Sequence, residues 1–494
     1  MVITTPILPF AVVAVDRRSH KPLHQQIYDG LRRAILDGTL PGGGRLPSTR
    51  GLAQDLRVSR LPVLSAYDQL RQEGYLETRT GSGTYVRATI PDDALRPHAV
   101  LASNATATRL TSSRSAAPMR LATRDEGGLR PFRTSLPGLD VFPHTRWSRI
   151  VAYHARELTP AHMGYGDPAG LPRLRTAVAD HLRIARAVRC EPRQVIIVSG
   201  SQAALRLCAA VLLRRGDRVA VEDPGYGGAH AALTATGADL VPVPVDDDGL
   251  DVDRLVRTRA TPRACYVTPT HQYPLGSSMS AARRMALVDW AVREHSWIIE
   301  DDYDSEFRYV SRPLGALQGM GDHAAERVLY VGTFSKVLFP ALRVGYLVVP
   351  RPLIDEFVAA REVMDLFSPT LYQLALATFI HEGHLARHVR RMRGVYRDRR
   401  AALLDGLTRH CDGLLALHNA DAGLHAATLL PRGVDDVAVV SMMKARGLTA
   451  NALSTCYLTE AAQSGLLLGF AGVNATTLAA ATHALGEVLR SVKR

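Results

Sequence analysis

The chain has 494 residues, which exceeds the size of one ordinary domain and favours two or more. Hydrophobic residues make up 46% and charged residues 22%, as in a globular protein, and no apolar run reaches the roughly 20 residues of a membrane span. The five cysteines are scattered and form no CxxC pair, which argues against a disulfide framework and against a zinc site.

Positive charge is concentrated near the N-terminus. Residues 17–87 contain twelve Lys or Arg and six Asp or Glu, so they carry +6 (12 − 6) of the net +13 of the chain. A segment of this kind suits a polyanionic partner such as DNA. Residues 2–15 are apolar, but positive charges follow them, whereas a secretory signal carries its positive charge first. We therefore predict an N-terminal arm or edge strand and a cytoplasmic location.

The basic segment shows the pattern of a winged helix-turn-helix. Apolar side chains at helical spacing predict helices at residues 22–36, 49–56 and 59–73. Ser48 and Ser59 are typical N-caps for the second and third of these helices. Two short helices joined by a tight turn form a helix-turn-helix whose second helix reads DNA. Residues 74–86 alternate apolar and polar around Gly-Ser-Gly, which predicts a two-stranded wing.

The strings LPSTRGLAQDL and AYDQLRQEGYLETRTGSGTYV resemble the winged helix of GntR-type regulators over nearly its whole length. The resemblance implies double-stranded DNA as a partner, with Arg50 and Arg60 at phosphates or base edges. It also implies that Gly83 and Thr84 bring the wing tip to the minor groove. The alternative is that both arginines are solvated surface charges. Where the family usually has a polar pair, this chain has Leu-Pro-Val-Leu at residues 61–64, so unusual base readout is expected.

Composition divides the rest of the chain into a linker and a second domain. In residues 98–118, thirteen of 21 residues are Ala, Ser or Thr and none is aromatic, which leaves too little apolar surface to order the segment. We predict a winged helix-turn-helix domain at residues 1–87 (core 20–87), a flexible linker at 88–128, and an α/β domain at 129–494.

The second domain alternates strand and helix patterns. Strands are predicted at residues 195–198, 218–221, 264–267, 297–299, 328–331 and 344–349. Ligands of open α/β sheets bind beyond the carboxyl ends of strands. Three such ends carry polar groups, namely Ser-Gly-Ser-Gln at 199–202, Glu-Asp-Asp-Tyr-Asp at 300–304 and Gly-Thr-Phe-Ser-Lys at 332–336.

Each of these groups is weak evidence alone. The first suits a phosphate at a helix N-terminus, the second a carboxylate that pairs with a protonated ring nitrogen, and the third a lysine that forms an imine. The acidic group is also compatible with a metal site or a solvated turn, and an isolated lysine is most often a surface residue. Together with Arg343 as a phosphate ligand, they match what pyridoxal phosphate requires.

The strings VSGSQAAL, VTPTHQYPLG, IIEDDYDSEFRY and VGTFSKVLFPALRVGY resemble fold-type I, class I aminotransferases over residues 138–488. They are closer to the aminotransferase-like half of MocR/GabR-type regulators. The resemblance implies that Lys336 forms the imine with pyridoxal phosphate and that Tyr303 bonds the ring hydroxyl. It implies Asp301 as the partner of the ring nitrogen, with Asp302 as the alternative.

The resemblance assigns the remaining cofactor contacts as well. Tyr226 would stack on the ring, and His271 stands where ordinary aminotransferases have an asparagine beside the ring hydroxyl. The implied phosphate ligands are Ser201, Gln202, Thr333, Ser335 and Arg343. Tyr165 would reach the phosphate of a neighbouring subunit, which implies a homodimer. No metal site is predicted, because the stripe His381, His384 and His388 lacks a further ligand.

The segment at residues 466–472 contains no arginine, although aminotransferases of α-amino acids usually place one there to grip the substrate carboxylate. Its absence indicates either a ligand without that carboxylate or an effector rather than a turned-over substrate. This favours a transcription regulator that senses pyridoxal phosphate or its adduct with an amine or amino acid. The alternative is an active aminotransferase that carries a DNA-binding domain. A purely structural DNA-binding protein with a degenerate cofactor site is a third hypothesis.

Overall fold

A computed structural model describes residues 13–79, 81–88, 128–310 and 315–492. Most of the predicted N-terminal arm and nearly all of the predicted linker lie outside these ranges. The chain separates into two compact units, and the division between them falls in residues 89–127. Within the described ranges no helix has the length and apolarity needed to cross a bilayer.

The smaller unit is a three-helix bundle with a β-hairpin. Its elements are α1 (Leu23–Leu36), α2 (Thr49–Asp55), α3 (Arg60–Gln72), β1 (Leu76–Arg79) and β2 (Gly83–Val86). The three predicted helices are therefore present within about one residue at each end, and the predicted wing is the antiparallel pair of β1 and β2.

Local chemistry explains these boundaries. The Ser48 side chain accepts a hydrogen bond from the Gly51 N–H at 3.1 Å and so caps α2. The helices bury one face each, with Ile27, Val63 and Leu70 fully buried in a shared core. Burying such a side chain contributes roughly 1.5–3 kcal/mol, so this core holds the bundle together.

The larger unit contains an eight-stranded sheet covered by helices on both faces. Its strands are β3 (Val195–Val198), β4 (Arg218–Asp223), β5 (Asp239–Asp246), β6 (Gly249–Leu250), β7 (Ala264–Val267), β8 (Trp297–Asp302), β9 (Val328–Thr333) and β10 (Gly345–Val348). Their order in the sheet is β3-β10-β9-β8-β7-β4-β5-β6. All six predicted strands are present, and their almost wholly buried residues explain why they read as apolar runs.

Thirteen α-helices are described in this unit. They are α4 (His144–Arg156), α5 (Pro160–Met163), α6 (Pro172–Arg186), α7 (Ser201–Leu212), α8 (Gly227–Thr234), α9 (Val252–Val256), α10 (Ala281–Arg293), α11 (Asp322–Arg327), α12 (Ile354–Asp365), α13 (Thr370–His381), α14 (His384–Cys411), α15 (Asp436–Ala445) and α16 (Ala475–Val492).

A second, four-stranded sheet lies in the C-terminal part of the larger unit and was not predicted. It consists of β11 (Ala416–Asn419), β12 (His425–Leu429), β13 (Asn451–Ala452) and β14 (Gly465–Gly469), in the order β11-β12-β14-β13. It packs with α14, α15 and α16 around a core of its own.

Candidate functional site

One edge of the large sheet collects the predicted cofactor residues. Strands β4, β5, β7, β8 and β9 run parallel, whereas β10 runs antiparallel between β9 and β3. The first residue of β10, Gly345, therefore pairs with Val198 and Thr333, the last residues of β3 and β9. This reversal brings the segment before β10, which contains Arg343, to the edge where the other strands end.

Lys336 follows β9 and reaches into the unit. Its Nζ donates a hydrogen bond to the carbonyl oxygen of Ser135 at 2.8 Å. Burial lowers the pKa of Lys336 to about 8, although the carboxylates of Asp304 and Asp301 raise it. A substantial fraction of this side chain is therefore the neutral, nucleophilic amine near pH 8.

Asp301 and Asp302 are neighbours on β8, but their surroundings differ. Asp301 Oδ2 accepts a hydrogen bond from Tyr266 Oη at 2.9 Å, whereas its buried Oδ1 has no partner among the described residues. Burial raises the pKa of Asp301 to about 7, and the Tyr266 hydrogen bond opposes that rise. Asp302 is occupied by the buried Arg186 at 2.7 Å and by Tyr330 Oη at 2.5 Å. Asp301 thus has a buried oxygen without a partner, whereas the charge of Asp302 is already paired with an arginine.

His271, Tyr303 and Asp304 form a hydrogen-bonded cluster. His271 Nδ1 lies 2.9 Å from Asp304 Oδ1 and 2.9 Å from Tyr303 Oη. Because an ionised carboxylate only accepts, Nδ1 donates its proton, and the Tyr303 oxygen is left to accept from the same nitrogen. The hydroxyl proton of Tyr303 is then free for another group. His425 packs on His271 with ring centroids 5.2 Å apart, and burial lowers its pKa to about 4, so it is neutral.

The N-terminus of α7 has the features of a phosphate site. Gly200 precedes it at φ +103°, and no side chain caps the helix, so the N–H groups of Ser201 and Gln202 are available. The Arg343 guanidinium lies beside Gly200, and neither hydrogen bond nor ion pair joins it to another described residue. Gln202 Nε2 donates to Tyr226 Oη at 3.2 Å, which fixes that ring next to the helix.

Two predicted phosphate ligands, Thr333 and Ser335, lie at the end of β9, whereas Tyr165, predicted to reach a neighbouring subunit, lies on the surface. Thr333 and Ser335 are buried, and the Ser335 N–H donates to Thr333 Oγ1 at 3.2 Å. Tyr165 is 88% exposed and packs edge-on against Phe367 with ring centroids 6.2 Å apart. In the described part of the chain no hydrogen bond or ring contact joins Tyr165 to the other predicted residues.

These residues fit a cofactor that carries an aldehyde, a basic ring nitrogen and a phosphate. The unpaired oxygen of Asp301 suits the protonated ring nitrogen, and Lys336 suits the aldehyde. The uncapped α7 together with Arg343 suits the phosphate.

Sequence reasoning missed four residues that shape this site, namely Ser135, Tyr266, Asp304 and His425. Tyr266 carried a signal, since a tyrosine inside an apolar strand needs a partner for its hydroxyl. Asp304 stood inside the acidic group but was assigned no role. Ser135 and His425 gave no signal, because they reach the site from the segment before α4 and from the unpredicted second sheet.

The segment at residues 466–472 comprises most of β14 and the residues that follow it, and it contains no arginine. A buried arginine of α14, Arg399, approaches it and donates to the carbonyl oxygen of Ala471 at 2.5 Å. Its guanidinium is also paired with Asp140 at 2.5 Å. Arg399 is therefore committed to the protein and is not a free clamp for a substrate carboxylate.

The predicted DNA-binding residues are on the surface of the smaller unit. Arg50 lies in α2 and Arg60 is the first residue of α3, and both are exposed. Gly83 and Thr84 begin β2 at the wing turn, where Gly83 adopts φ +118°. The Arg45 side chain packs against Gly83 and adds a positive charge beside the wing that sequence reasoning did not single out.

The histidine stripe lies at the end of α13 and the start of α14. His384 bonds to Glu382 at 2.9 Å, and His388 bonds to the Val337 carbonyl at 3.0 Å. Within the described ranges no three His, Cys, Asp or Glu side chains are grouped as metal ligands.

Two families match the chain, one in each unit. Residues 23–86 match the bacterial regulatory proteins of the GntR family, and residues 148–485 match the class I and II aminotransferases.

Similar proteins join both parts in one chain or share the fold of the larger unit. The chain is 40% identical over 471 residues to the probable rhizopine catabolism regulatory protein MocR of Rhizobium meliloti, covering 94% of each protein. It is 35% identical to the pyridoxine biosynthesis transcriptional regulator PdxR of Corynebacterium glutamicum, covering 94% of this chain and 96% of that protein. A solved structure of LysN, an α-aminoadipate aminotransferase of Thermus thermophilus complexed with N-(5'-phosphopyridoxyl)-L-leucine, matches with a TM-score of 0.69. It is 27% identical and covers 73% of this chain and 92% of LysN.

Proposed function

Because this chain belongs to the MocR-type transcription regulators, we propose that its larger unit senses pyridoxal phosphate or the adduct of pyridoxal phosphate with an amine or amino acid. The observation that carries the proposal is that one chain contains both a winged helix and a candidate cofactor site. In that site Lys336, whose pKa is lowered, lies near the unpaired oxygen of Asp301. The cofactor is pyridoxal phosphate.

Different residues of the site would hold different parts of this cofactor. Lys336 would hold the aldehyde carbon, Asp301 would pair with the protonated ring nitrogen, and Tyr303 would donate to the ring hydroxyl. Arg343 and the N–H groups at the start of α7 would hold the phosphate and offset its charge. When bound, the cofactor supplies an electron-withdrawing ring and an electrophilic carbon that an amine attacks.

A sensor requires that its ligand distinguish two states of the protein. The amine must bind the DNA-competent and DNA-incompetent states with different affinities, and a tenfold change in DNA affinity needs a difference of about 1.4 kcal/mol. In the proposal the protein is a homodimer, in which the exposed Tyr165 reaches the phosphate of its neighbour. Sedimentation of the full chain at several concentrations tests that state.

The direct test is DNA binding by the full chain in defined cofactor states. Duplexes selected from a random library are titrated with apo protein, with protein loaded with pyridoxal phosphate, and with loaded protein plus single amines and amino acids. We expect one class of amine to change the affinity by about tenfold or more, and Lys336→Ala to abolish that response. Equal affinity in every state would contradict the sensing function.

The second candidate is an active aminotransferase, which the intact set of Lys336, Asp301 and Arg343 favours. The absence of a free arginine at the segment 466–472 argues against it. Steady release of a keto acid during incubation with an amino acid and a keto-acid acceptor would support the enzyme. Binding without release supports the regulator.

The lowered pKa of Lys336 predicts how cofactor capture depends on pH. Only the neutral amine attacks the aldehyde, and an ordinary lysine of pKa about 10.4 is neutral to well under about 1% at pH 8. With a pKa of about 8, the neutral fraction of Lys336 at that pH is about one hundredfold larger. The rate at which the visible band grows after mixing apo protein with pyridoxal phosphate should rise through pH 8 and level off above it. A simple alkylamine in the same buffers is the control, and a midpoint above pH 10 would contradict the prediction.

Phosphate binding by the smaller unit predicts a change in salt dependence. If Arg50 neutralises one phosphate, Arg50→Ala weakens binding to all sequences alike and makes the slope of log K against log salt shallower by about 0.9 for each winged helix bound to the duplex. Arg71→Ala is the matched control, because Arg71 lies in the last turn of α3 and pairs with Asp68 at 3.1 Å. The same slope for Arg50→Ala and the unmodified protein would mean that Arg50 is only a solvated charge.

A further inference from the structure

The exposed face of α3 combines charge with apolar surface. The opposite face packs into the core of the smaller unit, where Val63, Ala66 and Leu70 are fully buried. Leu61 is 70% exposed and Leu64 is 39% exposed. Within residues 13–79 and 81–88 these two are the only large apolar side chains that are exposed.

Single exposed leucines are common on protein surfaces and need no explanation. Here, however, the two leucines are three positions apart, which places them side by side on one helix face. They also occupy the first two turns of the second helix of a helix-turn-helix, and residues at this position contact base edges in the major groove.

The neighbours of the leucines orient this surface toward a polyanion. Arg60 directly precedes Leu61, and its Nε donates to Thr49 Oγ1 at 3.1 Å, which ties the start of α3 to α2. Arg50 is exposed on the same α2. Pro62 lies in the first turn of α3, where a missing N–H breaks no helical hydrogen bond.

The major groove offers one apolar group on its base edges, the 5-methyl group of thymine. A second copy of this chain is a poorer occupant, because two leucine side chains supply far less than the roughly 1,000 Å² that a specific protein interface buries. The arginines beside them would also repel their own copies.

We propose that Leu61 and Leu64 read thymine by apolar contact with its 5-methyl group, so that part of the base specificity rests on methyl groups. The proposal rests on the DNA-binding function proposed above. In this proposal, apolar contacts take the place of the polar pair that the GntR resemblance would imply at these positions.

The test uses the full chain and duplexes that it selects from a random library. Each thymine of the selected half-site is replaced in turn by uracil, which lacks only the 5-methyl group, and the dissociation constants are measured. Burying one methyl group contributes about 0.8 kcal/mol, so we expect about fourfold weaker binding at one or two positions of each half-site. With Leu61→Ala or Leu64→Ala, the thymine and uracil duplexes should bind equally at the position that the missing side chain reads.

Three outcomes bear on the proposal in different ways. Tight binding that is indifferent to uracil at every position would overturn it and leave the proposed DNA-binding function intact. Unchanged uracil discrimination in both leucine variants would also overturn it. A changed sedimentation coefficient of those variants would then indicate that the leucines contact a second copy of the chain. Selection of no duplex at all would instead contradict the DNA-binding function itself. Gln69→Ala, on the same helix beyond the first two turns, is the control that should keep the fourfold effect.

Discussion

Replacing Lys336 with alanine is expected to abolish covalent attachment of pyridoxal phosphate and the visible absorption band of the protein. The reason is chemical, because an alanine has no amine to attack the aldehyde carbon. Few other lysines are present in the chain. Lysines occur at only four positions, Lys21, Lys336, Lys444 and Lys493, and Lys21 lies in the smaller unit.

Two measurements check this prediction. Absorption spectra of purified protein, recorded after removal of free cofactor, should show a band in the unmodified chain and none in Lys336→Ala. Borohydride reduction followed by peptide mass spectrometry should place the cofactor on the peptide that contains Lys336. The phosphate ligands remain in the variant, so weak non-covalent binding of the cofactor is compatible with the prediction.

The matched controls are Lys21→Ala and Lys444→Ala, which should keep the full band. Retention of the band in Lys336→Ala would disprove the assignment of Lys336. Absence of the band in the unmodified chain after incubation with excess cofactor would remove the cofactor-sensing half of the proposed function. Neither result would affect the DNA-binding half, which depends on the winged helix.

The chemistry at the strand ends was predictable because apolar runs and polar ends are local patterns. Buried parallel strands read as continuous apolar segments, and the residues that follow them meet at one sheet edge whatever the order of the strands. Lys336, Asp301 and Ser201 could therefore be grouped before their distances were known. The roles assigned to them from the family resemblance stay predictions.

Other features depend on contacts between distant segments and could not be predicted. The antiparallel direction of β10 brings Arg343 beside Gly200, and no local pattern encodes that direction. Similarly, Asp301 and Asp302 are adjacent and identical in sequence terms. They are distinguished by Tyr266 and by Arg186, which come from β7 and α6.

Replacing Arg186 with methionine is expected to destabilise the larger unit, because Arg186 is the charge partner of Asp302. Arg186 and Asp302 are both buried, and Arg186 also donates to Thr270 Oγ1 at 3.0 Å. Arg186→Met keeps the side-chain volume similar but leaves a buried carboxylate with the hydroxyl of Tyr330 as its remaining described partner. Breaking a buried pair in this way costs about 3–5 kcal/mol. For a unit of this size, with an unfolding entropy of about 2.1 cal/mol/K per residue, the melting temperature should fall by roughly 4–6 °C.

Two comparisons separate the lost ion pair from a general effect of substitution. Arg183→Met, on the same helix α6, removes an exposed pair with Asp180 and should leave the melting temperature nearly unchanged. The double variant Arg186→Met/Asp302→Leu removes both charges and should recover much of the loss, because the cost in the single variant comes from the unpaired buried carboxylate. If the double variant were as unstable as Arg186→Met alone, the loss of stability would come from altered packing. Asp302 would then not depend on the charge of Arg186 to stay buried.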